Sequence, residues 1–244
     1  MKNAMFYTLD ENKIHCTLCP HDCIIADGKR GICRVRKNVN GRLIAETYGQ
    51  VSAIHFDPIE KKPLYHFFPG NIILSVGSVG CNLHCKFCQN WEISQTSCED
   101  FSFKRQASPN EILTIAKSRP ENIGIAYTYN EPAIWFEYMM DIALKAKEQG
   151  LKNVMVTNGF INPEALERSF ECIDAYSVDL KAFNDDFFRK QTNSHLQPVL
   201  EALKLIRQAG KHLEITNLVI SNQNDNPEEF SQMINWIAEN LGRE

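Results

Sequence analysis

No stretch of this sequence approaches the roughly 20 apolar residues that a transmembrane helix needs. The first residues, MKNAMFYTLDENKIHC, also lack the basic start and apolar run of a secretory signal. Basic residues are not in excess, because 26 Lys and Arg stand against 30 Asp and Glu and the formal net charge is -4. The sequence therefore predicts a cytoplasmic protein without a membrane partner, and the acidic balance argues against nucleic acid.

The sequence shows neither internal repeats nor the composition of a disordered chain. Its 244 residues are 43% hydrophobic and 10% aromatic, which is enough to bury a full core. This composition predicts one large domain with a small appendage.

Cysteine is abundant, with nine residues. In a reducing compartment thiols stay free and serve as metal ligands rather than as disulfides. Seven of the nine fall into two sets, and Cys98 and Cys172 stand apart as expected plain thiols. The first set is Cys16, Cys19, Cys23 and Cys33, and the second is Cys81, Cys85 and Cys88.

From residue 71 onward, short apolar runs alternate with segments of helical period, which is typical of βα units on a parallel sheet. We therefore expect a cysteine-rich N-terminal module over residues 1–70 and an α/β domain over 71–244. The expected strands are 71–77, 122–128, 153–158, 175–180 and 212–220.

Two helices carry clear start signals, Ser-Pro-Asn-Glu from Ser108 and Asn-Pro-Glu-Glu from Asn226. Five βα units are too few to close a barrel, and the last expected helix, 228–241, runs almost to the end of the sequence. This arrangement predicts a partial barrel truncated after its fifth unit. The alternative is an open sheet whose edge is covered by the N-terminal module.

The second cysteine set has the spacing C-x3-C-x2-C directly after the first expected strand. Three thiolates this close together can converge on one iron-sulfur cluster or on zinc. A closed structural site needs four ligands, so three ligands favour a cluster with one iron open to another molecule. The alternative is a zinc knuckle that takes its fourth ligand elsewhere, such as His84.

This spacing, with Phe87 before the third cysteine, resembles the cluster loop of the radical S-adenosylmethionine (SAM) superfamily. The resemblance implies a partial (βα) barrel and a [4Fe-4S] cluster on Cys81, Cys85 and Cys88. It implies that SAM binds the open iron and is cleaved reductively to a 5′-deoxyadenosyl radical that abstracts hydrogen from a substrate. It also implies an electron donor such as flavodoxin or ferredoxin.

Polar residues follow each later strand, where the loops of a partial barrel form its mouth. Tyr-Asn-Glu-Pro at 129–132 stands where relatives carry Gly-Gly-Glu, whose glutamate receives the SAM ammonium. Thr-Asn-Gly at 157–159 and Asp179-x-Lys181 are similar to segments of the glycyl-radical activating enzymes. Each has a plain alternative as a helix start, a turn or a surface tripeptide. The resemblance assigns SAM binding to Asn130, Glu131, Thr157, Asn158, Gly159, Asp179, Lys181 and Asn217.

The stretch DPIEKKPLYH from Asp57, followed by Phe-Pro-Gly at 68–70 and Gln-Asn-Trp at 89–91, resembles a narrower branch. That branch is the radical SAM component of the AmmeMemoRadiSam system, and the first cysteine set fits it too. The stretch 57–66 is either a linker that packs the module onto the barrel or a contributor to the mouth.

The first cysteine set has the spacing C-x2-C-x3-C-x9-C, which suits a closed four-thiolate site. Zinc and a second [4Fe-4S] cluster both fit. His21 lies in this loop and is expected to be a turn residue.

Two function classes follow. The first is a SAM-cleaving oxidoreductase that acts on a protein glycine or a small molecule. The second is a non-catalytic iron-sulfur or zinc protein in electron transfer or assembly.

Overall fold

The computed structural model describes residues 2–10, 13–101 and 105–242. Over these residues the strands, in chain order, are β1 (Lys2–Asn3), β2 (Tyr7–Asp10), β3 (Lys13–Cys16), β4 (Cys23–Ile25), β5 (Arg36–Val39), β6 (Arg42–Ala45), β7 (Gln50–Val51), β8 (Ala53–Pro58), β9 (Ile72–Gly77), β10 (Arg105–Gln106), β11 (Asn122–Tyr127), β12 (Lys152–Thr157), β13 (Ala175–Asp179) and β14 (His212–Thr216).

The α-helices over the same residues are α1 (Trp91–Ser94), α2 (Pro109–Lys117), α3 (Phe136–Glu148), α4 (Pro163–Ser169), α5 (Asp185–Phe187), α6 (Leu196–Gln208) and α7 (Pro227–Asn240). Two 3-10 helices span Ile59–Lys61 and Pro132–Trp135, and a π-helix spans Phe188–Thr192. In this part of the chain, no helix is both long enough and apolar enough to cross a bilayer.

The main sheet has the strand order β14-β13-β12-β11-β9-β8. Strands β9, β11, β12, β13 and β14 are parallel, which confirms the five expected strands and the α/β class. They form where apolar runs could be buried on both faces, as parallel sheets require. The last of them stops at Thr216, four residues earlier than expected.

Strand β8 was not expected in this sheet. It pairs antiparallel with β9, from Ala53 opposite Gly77 to Pro58 opposite Ile72. A strand that precedes residue 70 therefore covers the β9 edge of the sheet, whereas the edge that the open-sheet alternative concerned, beside β14, has no further strand within the described residues. Residues 59–71 separate β8 from its pairing partner β9, so the local sequence pattern did not reveal the pairing.

The two helix start signals form as expected. Ser108 and Glu111 make a full capping box at the start of α2. Asn226 caps α7 by accepting from the backbone amides of Glu228 and Glu229. The Glu229 carboxylate instead accepts from the amide of Phe183, so it ties α7 to the loop after β13.

The two faces of the sheet are covered differently. Helices pack on one face, where residues such as Val76, Tyr127 and Val178 join the largest core. The other face is covered by residues 59–67, which we call the floor segment. Ile59, Leu64 and Phe67 of this segment pack on the sheet residues Ile73, Ala126, Val154 and Ala175.

The N-terminal part forms two small antiparallel sheets with the orders β1-β6-β5 and β2-β3-β4. A buried ion pair fixes it to α3: Arg36 donates to both oxygens of Glu137, at 3.0 and 3.1 Å. The same carboxylate accepts from the amide of Met5 at 2.7 Å. The cysteine-rich part is therefore docked firmly beside the barrel.

Candidate active site

A cavity of about 700 Å³ opens where the parallel strands end. Polar strand ends form one side of it, as the partial-barrel prediction required. We call it the mouth cavity. Its lining comprises residues 128–130, 156–157 and 179 at strand ends, 89–90 after the cysteine triad, and 55–57 and 61–63 around the end of β8.

The cysteine triad lies in the loop between β9 and α1. Cys81 is buried, while Cys85 and Cys88 are half-buried. Burial raises the pKa of the Cys85 thiol to about 11, and the neighbouring Lys181 ammonium opposes that rise. Burial also holds the pKa of Cys81 well above its usual value. Because metal ligands must be thiolates, a bound cation is what would ionise these thiols together.

The Lys181 ammonium lowers the pKa values of Cys81 and Cys85 in the triad, against the effect of burial. This ammonium lies 2.8 Å from Asp179 and 5.9 Å from the centre of the Phe87 ring. The pKa of Lys181 is raised although burial lowers it, because Asp179 and Cys85 favour the charged form. The predicted pair Asp179 and Lys181 is thus brought together, with its cation on the cysteine side and Asp179 lining the mouth cavity.

Glu131 is fully buried at the start of the helix 132–135. Its carboxylate accepts hydrogen bonds from the Ala133 amide at 2.9 Å, the Thr157 hydroxyl at 2.8 Å and the Asn158 amide at 2.8 Å. Burial raises the pKa of this carboxyl to about 7, against these three donors. Glu131 therefore caps this helix, as the plain alternative expected, but its carboxylate also bonds two other predicted SAM residues, Thr157 and Asn158.

Asn158 connects this carboxylate to the cysteine triad. Its side-chain amide donates to Asn82 at 2.9 Å and lies 3.9 Å from the Cys81 sulfur. Asn82 is fully buried and directly follows Cys81. Sequence reasoning missed Asn82, because an asparagine between two cysteines carries no signal until its contacts are known.

The segment 129–130 departs from the glycine pair of relatives, and its backbone shows how. Tyr129 has a φ of 78°, a left-handed conformation that a tyrosine seldom adopts. Asn130 donates to the carbonyl of Gly80. Its side-chain oxygen is buried and has no hydrogen-bond partner within the described residues, so it is available to a donor on a bound molecule.

Two further residues predicted to bind SAM, Gly159 and Asn217, lie in different surroundings. Gly159 has a φ of 70°, and a Cβ there would lie 3.0 Å from Val178, so only glycine fits this turn well. Asn217 donates to the carbonyl of Leu180 at 2.7 Å and contacts Met233 of α7. The structure therefore brings Gly159 into the turn beside Asn158, whereas Asn217 packs under α7 rather than lining the mouth cavity.

The stretch 57–66 plays both of the roles left open by the sequence. Ile59 and Leu64 pack under the sheet, while Asp57, Lys61 and Lys62 line the mouth cavity. Asp57 accepts from the ammonium of the buried Lys62 at 2.9 Å. Tyr65, near the end of this stretch, is 60% exposed.

The first cysteine set is assembled by β3, β4 and the loop before β5. Cys16 and Cys23 are cross-strand partners. Burial raises the pKa of Cys33 to about 11, and the thiols of Cys16 and Cys23 add to this effect. Burial raises the pKa of Cys19 in the same way, with Cys33 and Cys16 contributing. The four thiols are thus mutual electrostatic neighbours.

Over residues 2–10, 13–101 and 105–242, no group of three or more His, Cys, Asp or Glu side chains is already arranged to hold a metal ion. Both cysteine sets would have to draw closer around a bound centre. The seven cysteines of the two sets are all free thiols, so no disulfide opposes this.

The first set lies directly against the triad loop. The side-chain amide of Asn82 lies close enough to Cys19 to oppose the rise that burial causes in the pKa of that thiol. The ring of His21, expected to be a turn residue, makes a 2.7 Å hydrogen bond with the Asn82 carbonyl. One residue therefore contacts both cysteine sets.

The cysteine triad, the polar strand ends and the partial barrel together define a class of enzymes. A model of the Radical SAM superfamily matches residues 75–237, and the chain belongs to that family. A [4Fe-4S] cluster and SAM are the cofactors of this family, and the match makes the protein an enzyme of SAM-dependent radical chemistry.

Among particular proteins, the chain is 44% identical over 245 residues to an uncharacterised protein of Methanocaldococcus jannaschii, covering 100% of this chain and 72% of that one. It is 25% identical over 165 residues to the 4-hydroxyphenylacetate decarboxylase activating enzyme of Clostridioides difficile, covering 64% of this chain and 52% of the relative. The chain thus spans about half the length of that enzyme.

The solved structure of Streptococcus suis SuiB bound to S-adenosylmethionine has a similar fold. Its TM-score is 0.53 at 16% identity, and the match covers 69% of this chain and 39% of SuiB. This likeness concerns the fold, and it agrees with the partial barrel described above.

Proposed function

We propose that the chain cleaves SAM reductively with a [4Fe-4S] cluster on Cys81, Cys85 and Cys88, and that a protein glycine or a small molecule is the hydrogen donor. When bound, the cluster supplies one electron to SAM, and methionine and a 5′-deoxyadenosyl radical result. The observation that carries the proposal is the chain of contacts from Glu131 through Asn158 to the Cys81 sulfur.

The residues at this site suit both groups. The Lys181 ammonium favours the ionised form of two of the three thiols, Cys81 and Cys85, against the effect of burial on their pKa. Two buried groups are acceptors for the SAM ammonium: the side-chain oxygen of Asn130, which has no partner among residues 2–10, 13–101 and 105–242, and the carboxylate of Glu131. Thr157 and Asn158 hold the Glu131 carboxylate in place, and Gly159 lets the backbone turn beside them.

Lys181 is the cation for the SAM carboxylate. Asp179, paired with it at 2.8 Å, faces the mouth cavity and would meet the substrate side. Asn217 supports this pair indirectly, by holding the carbonyl of Leu180. The electron would come from a donor such as flavodoxin or ferredoxin. Placement in the AmmeMemoRadiSam branch remains a prediction from residues 57–70 and the first cysteine set.

We also propose a second metal centre on Cys16, Cys19, Cys23 and Cys33. The cross-strand pair of Cys16 and Cys23, the burial of the other two thiols and their mutual electrostatic effects support it. Zinc and a second [4Fe-4S] cluster remain its two candidates. Either would carry negative charge next to the buried guanidinium of Arg36.

The proposal is tested by reconstituting the clusters anaerobically, reducing them, adding SAM and assaying 5′-deoxyadenosine. Wild type should form it, and replacement of any triad cysteine by alanine should abolish it. Cys172→Ala, a buried thiol outside both sets, serves as the control and should keep the activity. A wild-type sample with a spectroscopically intact cluster and no product would instead favour a non-catalytic iron-sulfur protein.

A further inference from the structure

Tyr129 occupies a backbone conformation that its side chain does not favour. Its φ of 78° lies in the left-handed region, where the Cβ of an L-residue crowds the backbone. The residue precedes Asn130 and Glu131, the two acceptors assigned to the SAM ammonium. A strained residue next to a binding site persists only when its surroundings hold it there.

The surroundings of Tyr129 provide that hold. Its hydroxyl donates to the Asp57 carboxylate at 3.2 Å. The ammonium of Lys62 lies 5.1 Å from the centre of its ring. The ring rests on Gly77, where a Cβ would come within 2.6 Å of it. Asn90, just after the triad, donates to its carbonyl.

Asp57 is itself fixed in position. It accepts from Lys62 at 2.9 Å and from Ser75 of β9 at 2.9 Å. The ammonium and the hydroxyl favour the charged form and keep the pKa of Asp57 well below its usual range, against the effect of burial. The anchor for the Tyr129 hydroxyl is therefore an ionised and immobile acceptor.

We propose that Tyr129 is a positioning residue whose side chain, anchored on Asp57 and Gly77, holds the left-handed turn that presents Asn130 and Glu131 to SAM. The proposal rests on the proposed function. It assigns a purpose to Asp57 and Lys62, which hold the Tyr129 side chain at the edge of the mouth cavity. It also explains how this chain manages without the glycine pair of relatives: a glycine adopts the turn unaided, whereas tyrosine needs an anchor.

Three variants of the full, anaerobically reconstituted protein test this, with SAM affinity measured by equilibrium dialysis. Tyr129→Phe removes only the hydroxyl and should weaken binding about fivefold, the scale of one typical net hydrogen bond within a protein. Tyr129→Ala keeps the strain without the anchor, so the competent turn is less populated and binding should weaken about tenfold. Tyr129→Gly needs no anchor and should stay within about threefold of wild type.

Asn222→Ala is the matched control, because Asn222 is another non-glycine residue with a left-handed φ, 62°, in an exposed loop. It should leave SAM affinity unchanged. If Tyr129→Gly binds as weakly as Tyr129→Ala, the side chain contacts the ligand directly and the proposal is overturned. Equal affinities of Tyr129→Phe and wild type would exclude the Asp57 anchor.

Amide hydrogen exchange of residues 128–131 without SAM separates this proposal from the proposed function. Faster exchange in Tyr129→Phe and Tyr129→Ala than in wild type supports the anchor even if SAM does not bind. Unchanged exchange in both variants overturns it. Failure of wild type itself to bind SAM counts against the proposed function alone.

Discussion

Glu131 is a buried acid whose ionisation opposes folding and favours ligand binding. Its pKa rises from an ordinary 4.5 to about 7, mainly because burial penalises the charge. Its three hydrogen-bond donors reduce that penalty without removing it. An ammonium bound nearby would stabilise the ionised carboxylate. Part of the free energy that burial of this charge costs in the free protein would therefore be recovered in the complex.

The sign of this effect is testable with Glu131→Gln. A folded-state pKa above the unfolded one means that stability falls as pH rises from about 4.5 to about 7 and is then constant. Between pH 5 and 8 the wild type should therefore lose stability relative to Glu131→Gln, which does not titrate at this position. The relative change in the free energy of unfolding should be about 3 kcal/mol at most. Urea unfolding at several pH values measures it.

The same variant should lose SAM affinity, and wild-type affinity should fall as pH drops below about 7, where Glu131 takes up a proton. Glu111→Gln is a control of opposite sign, since the Ser108 amide lowers the pKa of Glu111. A glutamine variant at 131 whose relative stability does not change with pH would contradict the assigned pKa.

At the scale of elements, the triad loop and the first cysteine set meet at Gly80. Its φ is 83°, and a Cβ there would lie 2.6 Å from the Cys33 carbonyl oxygen and 2.7 Å from Val35. The backbone before Cys81 can therefore approach the chain after Cys33 only because residue 80 is glycine. Any side chain would push the two elements apart.

Gly80→Ala should therefore destabilise the protein by about 3 kcal/mol, from left-handed strain plus overpacking. Its reconstituted iron content should also fall. Gly70→Ala isolates the strain, because Gly70 has a φ of 79° but nothing within 4 Å of an added Cβ. It should cost about 1 kcal/mol and keep its iron. Equal effects of the two variants on iron content would refute the packing argument.

At the scale of the whole molecule, the two cysteine sets are parts of one assembly. Asn82 contacts Cys19 of one set and follows Cys81 of the other, and Arg36 with Glu137 ties the N-terminal sheets to the barrel. Metal bound to the first set should therefore stabilise both parts.

Replacing Cys16 and Cys19 together by alanine should remove either the zinc or about half of the iron, the latter if each set holds one [4Fe-4S] cluster. Metal analysis of the reconstituted protein gives the result, with Cys172→Ala as the buried-thiol control. Loss of neither metal would refute the second centre.

Much of this architecture follows from local sequence. The five parallel strands are readable because each is an apolar run of the right length, and Ser108 and Asn226 act as local caps. Strand β8 was missed because its place depends on pairing with β9, a contact across the chain.

The candidate site also combines features that the local sequence predicts with contacts that it does not. The sequence predicts the roles of the triad and of Glu131 from motif spacing, from position at a strand end and from the family resemblance, and these roles stay predictions. The contacts of Asp57 with Tyr129 and of Asn82 with Cys19 could not, since they join segments that are distant in sequence. Asn217 was assigned from its strand end alone, and its side chain follows the packing of α7 instead.

The floor segment fills the inner face of the sheet, where Ile59 and Leu64 pack on it. It runs across the inner face of the sheet as far as β14, where Glu214 accepts from the amides of Tyr65 and His66. Lys61, Lys62 and Pro63 of the same segment line the mouth cavity. The segment that packs on the inner face of the sheet therefore also supplies part of the wall of the binding space, so a change in its packing would alter the shape of that space.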